Sequence, residues 1–139
     1  MMSENGNVRM KLLKIMYIYT IIVPLLFGLG IILLPELMIS MFGWPDQDPI
    51  TFGITGSVYI AFGILAIFGL RDLIKFLPIL LLQLFYKIIW FIGVIIPLLI
   101  IGEFPSYAIL IVVIFLTYII GDLIAIPFKL VFSISTQDE

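Results

Sequence analysis

Lys87 is the residue in this sequence best placed to do chemistry. It lies nine residues into an apolar stretch, Pro78–Ile101. In a helix rising 1.5 Å per residue, its backbone is about 13 Å from the start of that stretch. A charge near a bilayer centre costs about 2.5–3.5 kcal/mol on insertion scales. Snorkelling of the lysine stem relieves only part of this, so a partner or a wet cavity is expected. Asp122 is the natural partner. Helical side chains lean towards their own N-terminus, so Lys87 and Asp122, on helices running in opposite directions, lean towards one depth. Gln83 shares a face with Lys87 at i, i+4, and Trp90 extends that face. Tyr118 and Asp122 share the same spacing, and Tyr59 falls near the depth of Lys87. These residues predict a polar network of Gln83, Lys87, Tyr59, Tyr118 and Asp122, with Trp90 adjoining.

Such a network has two uses. A buried Lys87–Asp122 pair could fix which helix faces which, since buried pairs set register without adding much stability. Alternatively, the pair could line a pathway for a proton, an ion or an anionic ligand. A third placement puts Asp122 at the interface as an ordinary helix-end residue, because its Asp-Leu-Ile repeats the Asp72-Leu73-Ile74 of a loop.

Other chemistries are removed by composition. The chain has no Cys and no His. Disulfides, iron–sulfur ligation, the usual haem and zinc ligand sets and an imidazole base are therefore excluded. No cofactor and no catalytic group is expected, which leans against an enzyme. Glu36, Asp46, Asp48 and Glu103 could hold a hard cation. Their spacing lacks the remaining ligands of a calcium loop, and no metal site is read from it. A net charge of −2 gives no reason to expect a nucleic-acid partner.

The elements that must position these residues are membrane helices. Of 139 residues, 63% are hydrophobic and 12% charged, with a mean hydropathy of +1.32. Soluble domains are nearer 45–50% and about 25%, so neither a soluble nor a disordered chain fits. Spanning about 30 Å of hydrocarbon takes about 20 helical residues. Four segments qualify, at about 15–34, 52–70, 78–101 and 105–126, none with the period-2 alternation of a barrel strand. The expectation is one all-α transmembrane domain, a four-helix bundle running up-down-up-down. Arg9, Lys11, Lys14, Arg71, Lys75 and Lys129 then fall on one side, and the acidic loops on the other. The positive-inside rule places both termini in the cytoplasm. The N-terminal apolar run is too long for a signal peptide and lacks an A-x-A-like site, so it reads as a retained helix. Leu37, Met38, Met41 and Phe42 predict a short interfacial helix at 36–42, with Gly43 as its cap and Trp44 at the headgroups. Gly56 and Gly63 share a face of the second span, which suits close helix packing. Pro24 and Pro97 should kink their helices, and paired kinks could open a cavity.

Leu34-Pro35-Glu36-Leu37-Met38, then Phe42-Gly43 and the glycine-rich helix Gly56–Gly63, resemble the small four-helix bacterial membrane proteins of the DoxX-like type over about half the chain. The resemblance implies a helical bundle in a bacterial inner membrane and, for some such proteins, a link to quinone-coupled oxidation. It transfers no catalytic residue. The Ile- and Phe-rich usage, with five Lys against two Arg, points the same way. Three functions are therefore weighed. The first is a non-enzymatic subunit or accessory protein. The second is a small transporter or channel using Lys87 and Asp122, and the third a quinone-linked subunit. The expected partners are lipid and either further copies of the chain or a larger membrane complex.

Overall fold

The computed structural model describes residues 4–133, with side chains from Arg9 onward, and every regular element among them is helical. Helix α1 covers Glu4–Leu33, α2 Pro35–Phe42, α3 Pro49–Gly69 and α4 Leu77–Trp90. A π-helical turn, Phe91–Ile95, joins α4 to α5, Ile96–Ile101. A 3-10 turn, Ser106–Ala108, leads into α6, Ile109–Ala125, and α7 is the short Phe128–Val131. Four stretches are long and apolar enough to cross a membrane: Arg9–Leu33, Pro49–Gly69, Leu77–Ile101 and Ser106–Ala125.

The helix limits follow local chemistry more than hydropathy. The first helix begins well before Ile15, because residues such as Arg9, Met10, Lys11 and Leu12 are good helix formers that need no lipid around them. Helix α3 starts at Pro49, ahead of the apolar run. The Asp48 side chain accepts the Thr51 amide at 2.8 Å, and Pro49 takes the first helical position. Helix α2 ends at Gly43, whose φ of 67° suits glycine. There Trp44 N–H reaches Ile39 O at 3.0 Å and Gly43 N–H reaches Ser40 O. Gly102, with φ 74°, closes α5 in the same way.

Helix α1 is the hub. It packs along α3 and against α6, and α6 also packs on α4, whereas α3 and α4 touch only lightly. The α1–α3 seam is built on glycine. A Cβ on Gly28 would lie 2.6 Å from Gly56 O, one on Gly56 2.7 Å from Ile31, and one on Gly63 2.7 Å from Leu25. These contacts climb α1 as they descend α3. Small residues let two backbones meet where lipid offers no hydrophobic drive.

The interior is filled unevenly. Leu13, Tyr17, Ala66, Leu80, Leu84 and Ala125 form a packed cluster at the end where α1 begins and α6 finishes. At the opposite end a smaller cluster of Ile31, Met38 and Phe52 is joined by an aromatic stack, Phe27–Phe42–Trp44. Helix α2 folds back so that Met38 lies against Gly30, while Leu37 and Met41 stay exposed. Between the two clusters the helices part.

Candidate functional site

The parting is a cavity of about 210 Å³. Pro24 and Phe27 of α1, Thr55 and Tyr59 of α3, and Ile111 to Tyr118 of α6 form its walls. Trp44, Gln47 and Tyr107 lie at one end, and Tyr86, Lys87 and Tyr118 at the other. From Tyr107 to Tyr118 is 11 residues, or about 16 Å of helix. Pro24 lies in the wall and Pro97 does not. The effect of Pro97 is local. Its ring crowds the carbonyl one turn back, and the turn before it is widened, with Ile96 N–H bonding Phe91 O. Such π turns recur at functional sites.

Lys87 is 1% exposed and closes the cavity. Its Nζ donates to Tyr86 Oη at 3.0 Å. It also lies 4.4, 4.9 and 4.3 Å from the ring centres of Tyr86, Phe115 and Tyr118. The ring faces attract the cation, by about 2 kcal/mol or more for a desolvated contact. The hydrogen bond to a charged donor adds about 1.5–3 kcal/mol. Desolvating the ammonium costs several kcal/mol. The cage offsets a large part of that cost without supplying a counter-charge.

Asp122 is fully buried within the bundle, whereas Asp72 of the matching loop tripeptide is exposed. Asp122 does not pair directly with Lys87, and no such ion pair forms among the described residues. Instead Gln83 Nε2 donates to Asp122 Oδ2 at 3.2 Å. Thr20 Oγ1 donates to Met16 O at 2.8 Å and lies 3.2 Å from Gln83 Oε1. Asp122 Oδ1 has no partner. The expected single network is thus two arrangements stacked along the bundle. One is a Thr20–Gln83–Asp122 chain in the packed half, and the other an aromatic cage around Lys87 at the cavity floor. The reason is rotation: Gln83 sits one turn from Lys87 and takes the position facing Asp122, leaving Lys87 to face the rings.

Tyr118 joins the cage through its ring while its hydroxyl donates to Tyr19 O at 2.8 Å. The Tyr19 ring stands edge-on to it at 4.0 Å. Tyr59 lines the cavity with no part in the cage. Trp90 lies outside the wall, packed on Phe91 and Phe115. Thr20 and Phe115 were not foreseen, since a lone hydroxyl and a lone ring in apolar runs carry no spacing signal. Among the described residues Glu36, Asp46, Asp48 and Glu103 do not gather into a group that could hold a metal.

Set against protein families, curated proteins and solved structures, the chain matches none.

Proposed function

We propose that this chain is a small bacterial inner-membrane protein that holds a ligand inside its bundle, serving as a non-enzymatic subunit or accessory factor. It crosses the bilayer up-down-up-down with both termini in the cytoplasm. Six exposed basic residues, from Arg9 to Lys129, support that orientation, and Lys87 is the only basic residue apart from them. The end of the cavity lined by Trp44 and Tyr107 then faces the other side. The observation that carries the reading is the cavity itself: about 210 Å³, mostly apolar and aromatic, ending on a buried cation. Pockets for small molecules have this character, an apolar wall with few fixed polar groups. The likeness to DoxX-like proteins keeps a quinone ring among the ligands to be tried.

Thermal unfolding of the protein in nanodiscs tests this. A ligand at about 100 times its dissociation constant adds about 2.7 kcal/mol. A bound small molecule should raise the midpoint of the wild type and leave Ile114→Trp, which fills the cavity, unmoved. Equal shifts in both would place the ligand elsewhere and end the reading.

Transport is the second reading. It is favoured by the Thr20–Gln83–Asp122 chain, which continues polar groups past the cavity floor. It expects ligand flux in liposomes that Lys87→Met abolishes, and flux unchanged by that substitution counts against it.

A further inference from the structure

We infer that the cavity takes a small monoanionic amphiphile, with a carboxylate head on Lys87 Nζ and an apolar body among the rings towards Trp44. The inference rests on the ligand-holding reading and names the chemistry of the ligand.

Three observations carry it. Lys87 is the only charged residue in the cavity wall among the described residues. Its near neighbours, Tyr86 Oη and three ring faces, are neutral. The nearby carboxylate of Asp122 is engaged by Gln83 and is absent from the wall. The ammonium therefore faces the cavity without a contacting anion.

The donors that remain match a carboxylate. Lys87 uses one of its three N–H groups on Tyr86. Tyr86 accepts that bond, which frees its own O–H to donate. Two oxygens of one head can then be met from Lys87 and Tyr86 together, as charge-assisted bonds. The Tyr118 hydroxyl is committed to Tyr19 O and contributes only its ring. An amine would be repelled, and a neutral head would leave the cation unpaired. A single lysine balances one negative charge, not two.

Size restricts the body. An engineered apolar cavity of about 150 Å³ holds a benzene ring. A cavity of about 210 Å³ therefore holds a ring with a short stem and a head. A water-borne aromatic acid and a lipid-derived short alkanoate share this chemistry, and the probes separate them.

Isothermal calorimetry on the full chain in nanodiscs would compare 4-phenylbutyrate, 4-phenylbutyramide and 4-phenylbutylamine, with octanoate and octanamide as the alkyl pair. The acid of at least one pair is expected to bind tenfold or more tighter than its amide, and the amine not at all. The pair that shows the difference identifies the source. Lys87→Met should erase the acid–amide difference. The wild-type comparison stands on its own if that variant fails to fold. Amides binding as tightly as acids would overturn the anion inference while leaving the ligand-holding reading intact. No binding by any of the five probes would overturn the anion inference, and the ligand-holding reading would then rest on the Ile114→Trp comparison.

Discussion

Gln83 separates the two charges of the interior while linking the helices that carry them. Its amide donates to Asp122, and its carbonyl meets Thr20, so it joins α1, α4 and α6. Gln83→Leu leaves Asp122 without a donor and should cost about 1–3 kcal/mol, read as a lower unfolding midpoint in mild detergent. Adding Asp122→Leu should recover most of the loss, because apolar groups in both places need no partner. Lys87 should respond in the opposite sense. A buried ammonium without a counter-ion is a liability to stability, so Lys87→Met should leave the midpoint unchanged or raise it. A drop of several kcal/mol would mean that Lys87 holds the fold. Exchanging Lys87 and Asp122 should rescue nothing, since the two do not touch. Both residues were legible as interruptions of apolar runs. Their partners were not, because depth follows from counting along a helix while rotation about its axis depends on neighbours. That is why Gln83, expected beside Lys87, turned out to serve Asp122.

At the level of elements, the caps and the glycine seam were legible and the π turn was not. Gly43 follows an apolar face and ends it, and Gly56 and Gly63 repeat at heptad spacing. Pro97 announced a distortion but not its form, since a proline fixes where a helix is disturbed and leaves the manner to packing. The seam gives a paired expectation. Gly28→Ala drives a methyl into the Gly56 carbonyl, which cannot rotate away, and should destabilise by about 1–3 kcal/mol. Gly53→Ala meets nothing within 4 Å and should stabilise by about 0.5–1 kcal/mol. Unfolding midpoints that move together would deny the seam its close contact. Helix α3 also carries a pH signature. The Thr51 amide holds the Asp48 carboxyl below the usual carboxylate range. A depressed folded value means the bond contributes fully above the unfolded value of about 3.9 and fades as pH falls through the folded one. Asp48→Asn, which caps without titrating, should lose less stability than the wild type on acidification. Parallel pH curves would show that ionisation of Asp48 adds nothing to the cap.

The whole molecule combines a tight half with a hollow one. Its outer surface is densely apolar: Ile100, Ile50, Leu33, Ile89 and Leu26 are among many exposed large side chains, as expected of a surface that meets acyl chains. The basic residues give the proposed orientation a direct check. A green fluorescent protein fused to the C-terminus should fluoresce, and alkaline phosphatase in the same place should be inactive. An active phosphatase there would reverse the orientation. The division into halves also bears on how the protein is made. Helix α1 and its glycine-lined partner α3 come first along the chain, so they can dock while the later helices are still being synthesised. The wall that needs Ile111 to Tyr118 exists only once the last span has arrived. In the proposed membrane arrangement, Lys87 would therefore enter the bilayer before its shelter is complete, and the newborn chain would pass through a stage in which that ammonium depends on whatever the insertion machinery provides.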